Sequence, residues 1–332
     1  MARRKARIPQ GKKIQPAVKT LTFDLPSSPN LSNYYIDLSQ CASIMNRRFY
    51  RQGLNWAVAG FTWYTVADGA IRINKIPDTW VASNAWEKGF RAWQKMNDEA
   101  LQDTESVKPK FLDFKVFMDE GHFDSGVANN LLPRDPTNIG NPVTAGEWNY
   151  SEFVIPFGPA SAGNTSNFAV KWVGANYNGG TDGVVSLIDG YSSSRALPQQ
   201  YDPNTPDDAA DADGSTPENW LGALQNEGTD QHSEVLADMI TENNQAPYPF
   251  EGDGTSIDTQ YPGGANQAPG LQESALAFVT STTIGGRTQL PGENFQGGLI
   301  NLQLTHTGTS VIQVHLVAGH HRGYLAEPMQ DV

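Results

Sequence analysis

Leu54–Ile76 reads LNWAVAGFTWYTVADGAIRINKI, and this stretch decides the class of fold. Leu54–Val66 is rich in aromatic and β-branched residues, the composition of a long strand. Asp68-Gly69 is a turn signal, and Ala70–Ile76 resumes the strand pattern, so the two runs are expected to pair as a hairpin. Upstream, Ala17–Leu25 alternates apolar and polar residues and stops at Pro26, and Tyr34–Leu38 is a second, short strand. Further strands are expected at Phe111–Met118, Phe153–Phe157, Phe168–Val173, Val184–Ile188 and Ala275–Ile284. Leu299–Thr305 and Ser310–Val317 close the chain, joined around Gly308 as another hairpin.

Helices are expected inside the long connections. Asn84 with Glu87 forms a capping-box-like start for a helix over Asn84–Leu101, and Trp86, Phe90 and Trp93 fall on one face, which assigns the stripe to a core. Thr216-Pro217-Glu218 starts a short helix through Leu224, and Val235, Leu236, Met239 and Ile240 mark another. About eleven strands separated by insertions argue against a parallel α/β sheet and for an antiparallel sandwich. With 32 Gly and 21 Pro in 332 residues, the composition fits such a turn-rich β protein.

Charge is sorted along the chain. Met1–Lys13 carries Arg3, Arg4, Lys5, Arg7, Lys12 and Lys13 and no acid. The whole chain has 23 Lys+Arg against 36 Asp+Glu, so without those six cations the remainder stands at 17 against 36, a net of −19. A short cationic arm on an acidic body suits contact with a polyanion. The division expected is an arm over 1–16 and a shell domain over 17–332, with insertions around 119–150, 198–230 and 246–272. Cys41 is the only cysteine, which excludes an intramolecular disulfide and a Cys-based zinc site. No apolar run reaches the roughly 18 residues of a membrane span, and no apolar segment follows the basic N-terminus as in a secretory signal, so synthesis inside a cell is expected.

Signals for catalysis are sparse. Met118–Asp124 (MDEGHFD) gathers Asp119, Glu120, His122 and Asp124, residue types that serve as metal ligands or proton carriers, or as a polar turn around Gly121. His306, His315, His320 and His321 crowd the closing strands. His306 and His315 would approach each other if those strands pair, giving a zinc site or, on an interface, a pH-sensitive contact. Asp202–Glu218 holds six acids, and its Asp211-Ala212-Asp213-Gly214 lacks the ligands of an EF-hand at Ala209 and Trp220. That leaves a solvated loop or a calcium site between subunits. The chain has no GxSxG, Walker loop or HExxH, and a non-enzymatic role without a bound cofactor is expected.

Four segments together resemble capsid proteins of small circular single-stranded DNA viruses. They are Tyr35–Tyr50 (YIDLSQCASIMNRRFY) with the aromatic strand after it, Asp113–His122 (DFKVFMDEGH), Gly146–Pro156 (GEWNYSEFVIP) and Gly298–Glu327 (GLINLQLTHTGTSVIQVHLVAGHHRGYLAE). The resemblance implies a jelly-roll β-sandwich with helices in its insertions, self-assembly into an icosahedral shell, and residence in a virion. It also implies that the arm cations Arg3, Arg4, Lys5, Arg7, Lys12 and Lys13 bind the packaged single-stranded genome. Such capsid proteins usually carry a longer arginine-rich arm and a basic overall balance. At about one phosphate per cation, a 60-subunit shell would neutralise on the order of 360 phosphates, so polyamines or divalent cations would supply the rest. A double jelly roll enclosing an inner membrane, with the arm on anionic lipid, is the alternative. From other classes, a jelly-roll glycan-binding attachment protein and a sandwich hydrolase using Asp119, Glu120 and Asp124 remain open, with no host receptor indicated.

Overall fold

The computed structural model describes residues 15–100, 113–138, 140–156, 165–175, 183–196, 270–280, 282 and 286–332. The chain enters β1 (Thr20–Leu25) and β2 (Ser28–Asp37), turns into α1 (Leu38–Asn46), and continues through β3 (Leu54–Tyr64) and β4 (Gly69–Lys75). α2 (Trp80–Ala100) and the short α3 (Glu120–Ser125) follow. Next come β5 (Glu152–Pro156), β6 (Thr165–Lys171), β7 (Gly183–Ser186) and α4 (Leu187–Ala196). The last part holds β8 (Gln272–Val279), β9 (Arg287–Pro291), β10 (Asn294–Phe295), β11 (Leu299–His306) and β12 (Ser310–Leu316). Three short strands end it: β13 (Ala318–Gly319), β14 (Gly323–Tyr324) and β15 (Ala326–Pro328).

The protein is mainly β, and eight of its strands form the body of two antiparallel sheets. One runs β1-β12-β3-β9, and the other runs β2-β11-β4-β8. Alternation on each strand turns one row of side chains inward. Leu21, Phe23 and Leu25 of β1, Ile71 and Ile73 of β4, Leu302 and Leu304 of β11, and Ile312 and Val314 of β12 share one buried core between the sheets. On β3 the inward set is Leu54, Trp56 and Val58, then Phe61 and Trp63. The change of phase falls where the register against β12 shifts, from His315↔Gly60 to Leu316↔Val58. An extra residue there keeps both halves of an eleven-residue strand facing one core.

Both expected hairpins are absent, although their strands form. β3 pairs with β12 and β9 in one sheet, whereas β4 pairs with β11 and β8 in the other. β11 and β12 likewise lie in opposite sheets. A two-residue Asp-Gly hairpin needs left-handed backbone at both central positions. Gly69, by contrast, is already in β4, where a Cβ would sit 2.5 Å from the Thr305 carbonyl oxygen and 2.8 Å from the His306 Cβ. It serves close approach within a sheet and not a turn. The two crossings between sheets touch, since a Cβ on Gly308 would meet that of Ala67 at 3.2 Å.

The strand expected at Tyr34–Leu38 is longer, and it ends where Asp37 caps α1 by accepting from the Ser39 (2.9 Å) and Gln40 (3.2 Å) backbone N–H groups. α2 begins four residues before the expected Asn84. Thr79 Oγ1 accepts from the Ala82 N–H at 3.3 Å, and Asn84 is an exposed interior position. Asp113–Met118 forms no regular strand: Phe117 is bridged to Lys171, and the Lys115 and Met118 carbonyls accept from the Ser151 (2.8 Å) and Val173 (3.2 Å) N–H groups. A third sheet, β5-β6-β7, contains one parallel pair, β6 with β7. It builds a second core with α2 and α4, in which Trp86, Phe90 and Trp93 are buried with Phe114 and Trp172. Tyr35, Ile76 and Leu299 from the sandwich join that core and tie the two together. The expected helices near 216–224 and 235–240, and the insertions over 198–230 and 246–269, lie outside the described residues.

Candidate functional site

The arm cations Arg3, Arg4, Lys5, Arg7, Lys12 and Lys13 lie outside the described residues, but the place where the arm joins the body is defined. Residues 15–19 run as a strap against the last turns of the chain. Val18 N–H donates to Asn46 Oδ1 (2.9 Å), the Tyr324 hydroxyl donates to the Val18 carbonyl (2.6 Å), and Leu316 N–H donates to the Lys19 carbonyl (2.7 Å). Gly323, at φ 105°, leaves the gap that the strap fills, since a Cβ there would come within 2.7 Å of Ala17 Cβ. Tyr324 is fully buried, its ring 5.5 Å from Tyr50 and 5.2 Å from Trp56. The strap is therefore fixed to the core of the sandwich by a buried aromatic group. The signal for this anchor, Gly323-Tyr324, sits some three hundred residues away from the arm, and reading along the chain gives no reason to join them.

MDEGHFD is a structural fastening. Asp119 caps α3 by accepting from the His122 N–H (2.8 Å), and Glu120 pairs with the buried Lys171 (3.2 Å). Asp124 is exposed. His122 is fully buried and stacked on Tyr35 at 4.5 Å. Its Nδ1 accepts from the Met118 N–H (3.1 Å), which leaves Nε2 to donate to Asn130 Oδ1 (2.9 Å). Asn130 donates in turn to Gln40 Oε1 (2.9 Å) and to the Tyr150 hydroxyl (3.2 Å). The chain of bonds ends at Asp37, whose Oδ2 accepts from Tyr150 (3.3 Å), Trp148 Nε1 (3.1 Å) and Gln52 Nε2 (3.0 Å). No group of three or more His, Cys, Asp or Glu residues able to hold a metal ion occurs among the described residues.

The C-terminal histidines do not converge. His306 is buried in the sheet of β2, β11, β4 and β8. His315 belongs to the opposite sheet, where Nε2 meets Thr62 Oγ1 (2.9 Å) and Nδ1 meets Thr20 Oγ1 (3.2 Å). The expected approach of His306 to His315 fails because the strands carrying them are not neighbours. His320 is exposed and His321 lies beside Tyr324. The acidic stretch 202–218, with its calcium possibility, lies outside the described residues. No helix among those residues is long and apolar enough to cross a membrane.

Burial pushes the Asp37 carboxyl up to about 6, against the hydrogen bonds from Gln52, Gln40 and Trp148 that favour its ionised form. Burial also lowers the His122 imidazole to about 4. These shifts act on stability with opposite sign. Between about pH 4 and 6 the folded chain holds a proton on Asp37 that the unfolded chain has lost, so this contribution falls as pH rises. Between about pH 4 and 6.5 the unfolded chain holds a proton on His122 that the folded chain refuses, so this contribution grows as pH rises. Each is worth roughly 3 kcal/mol at about 1.4 kcal/mol per pH unit. Comparing thermal melts of the wild type with His122→Gln isolates the histidine. The stability advantage of the wild type is expected to widen steadily from pH 4 to 6.5, and a constant difference would contradict a neutral, buried His122.

Compared with known proteins, the chain matches no family model, no curated protein and no solved structure. The capsid-like pattern of its four segments therefore stands without a matching relative.

Proposed function

We propose that this chain is the subunit of a closed protein shell: a jelly-roll coat protein whose cationic arm holds single-stranded nucleic acid inside. The observation that carries the reading is strand order. Numbered by sequence, the eight strands of these two sheets lie 1-8-3-6 in one and 2-7-4-5 in the other. First and last strands are neighbours, and successive strands alternate between sheets except the fourth and fifth, which pair within one sheet, as in two nested Greek keys wrapped into one roll. The arm precedes the first strand, which pairs with β12. Six cations in a stretch of thirteen residues suit phosphate contact without reading of sequence.

Exposed apolar side chains support assembly. Leu31 on β2 is 65% exposed, Val66 in the crossing after β3 is 93% exposed, and Phe278 on the edge strand β8 is 70% exposed. Copies packed edge to edge would cover them. Electron microscopy of the purified chain across salt, pH and calcium is expected to reveal closed icosahedral particles. Phe278→Glu is expected to leave the melting temperature nearly unchanged while preventing closure, because it adds a charge to a surface that neighbours would bury. Only monomers or dimers of the wild type under all these conditions would overturn the reading.

A further inference from the structure

The end of the sandwich where the arm is anchored carries a second group of cations. Lys19 Nζ lies 4.7 Å over the Tyr324 ring and donates to the Gly323 carbonyl. Arg322 donates to the Phe49 carbonyl, and its own carbonyl accepts from the Tyr50 hydroxyl (3.0 Å). Arg48 and Arg322 both bear on that hydroxyl, and Arg48 also bears on Tyr324. Arg51 and Arg322 line one cavity of about 460 Å³ together with His321. Burial first, and then the neighbouring Arg322 and His320, lower the pKa of His321.

Arg72, Lys75, Arg91, Lys115, Arg134 and Lys171 each have a carboxylate partner. Lys19, Arg48, Arg51 and Arg322, with Arg47 next to Arg48, have none among the described residues, and neither has Arg287 on β9, although acids outnumber bases 36 to 23. Asp113, the acid lining the cavity, is matched by Lys115 at 2.8 Å. Aromatic surface is interleaved with these charges. Phe49 stands between Arg48 and Arg51 and is 51% exposed, and the cavity beneath it is lined by Trp86, Phe90 and Phe114. A flat apolar ring flanked by unpaired guanidinium groups is suited to a base and its phosphates.

We infer that Lys19, Arg48, Arg51 and Arg322 form a second single-stranded nucleic-acid contact on the folded body, with a base stacked on Phe49, continuing the track begun by the arm. The partner rests on the proposed shell function. Single-stranded nucleic acid is favoured over an acidic face of another copy for two reasons. Lys12 and Lys13 are at most three residues from Gln15, hence within about 10 Å of the anchored strap, so arm and patch can follow one strand. In addition, the half-exposed Phe49 ring offers stacking surface, which a carboxylate-bearing protein face would not use.

The test is fluorescence anisotropy of a labelled oligothymidylate against the full chain at several salt concentrations. Four forms are compared: wild type; Arg48→Gln, Arg51→Gln and Arg322→Gln together; all six arm cations changed to Gln; and both sets combined. At about 0.7 released counterions per phosphate contact on a single strand, the arm-neutral form is expected to keep a log–log salt slope of about −2 to −3. Adding the three patch substitutions should remove about 2 of it. Phe49→Ala in the arm-neutral form should weaken binding about fivefold or more, the smaller end of base stacking, without changing the slope. Arg48, Phe49, Arg51 and Arg322 are exposed, and melting curves check that each form is folded. Equal binding by the arm-neutral and combined forms would overturn the inference. So would patch substitutions that change the oligomeric state and leave oligonucleotide binding alone, which would make the patch a contact between copies. Particle formation is scored separately by microscopy. A chain that never forms shells yet keeps the patch-dependent slope would sink the shell reading and leave this contact standing.

Discussion

Asp37→Ala is expected to lower stability by about 3–5 kcal/mol, among the largest effects of any single substitution in this chain. The carboxylate is fully buried at the junction of β2 and α1. It accepts from two backbone N–H groups at the start of the helix, from Gln52 Nε2, Trp148 Nε1 and the Tyr150 hydroxyl. Removing it leaves those donors in an interior that water does not reach, and each unpaired buried donor costs about 1–3 kcal/mol. The loss is partly offset, because the desolvation that raises the Asp37 pKa also disappears. Gln52 extends the damage, since its Oε1 accepts from Val116 N–H (2.6 Å) and its Nε2 also donates to the Val116 carbonyl (3.1 Å). Asp37→Asn keeps one acceptor and should cost less than alanine. Chemical denaturation of the two variants checks the order, and equal stability of the alanine variant and the wild type would contradict this account of the network.

Trp93→Ala is expected to cost about 3–5 kcal/mol, as for a large aromatic truncated in a packed interior. Trp93 is 7% exposed, with its ring 5.5 Å from Phe114, which also contacts Phe90 (6.0 Å) and Trp86 (6.1 Å). Trp86 stacks on Phe90 (5.1 Å) and lies 6.3 Å from Trp172, whose Nε1 donates to the Ala82 carbonyl (3.0 Å). The alanine cavity would open in the middle of the second core and loosen α2 from the three-stranded sheet. Trp93→Phe should recover much of the loss by refilling most of the volume. An unchanged melting temperature for Trp93→Ala would mean that the stripe serves an interface between copies.

The aromatic stripe was legible because a helix returns every third or fourth residue to one face, so Trp86, Phe90 and Trp93 announce a buried side whatever lies opposite. The half-buried face of β1 was legible for the same kind of reason, since strand alternation separates a core row from a solvent row, whereas the inward set of β3 changes phase at its bulge, which alternation does not show. The start of α2 was misplaced because Asn84 and Glu87 imitate a capping box, while the working cap is Thr79. MDEGHFD looked like chemistry because Asp, Glu and His are the residues of both catalytic sites and buried fastenings. Only burial and partners separate the two, and here Asp119 caps a helix and His122 is a neutral link between Met118 and Asn130.

Sequence by itself determined that this chain is β-rich with a cationic N-terminal stretch, and it placed most of the strands, but it missed β9 and expected a strand over Phe111–Met118, of which Asp113–Met118 forms no regular strand. Tertiary structure alone decided which strands are neighbours. Periodicity reports the environment of a side chain and carries no label for the strand beside it, and a turn-like Asp68-Gly69 or Gly308 is equally compatible with a hairpin and with a crossing between sheets. The crossing prevails because Trp63 and Ile71, and likewise Leu304 and Ile312, can then enter the one core from opposite sides. The same wrapping brings residue 18 to residue 324 and sets Lys19, Arg48, Arg51 and Arg322 around one end of the sandwich.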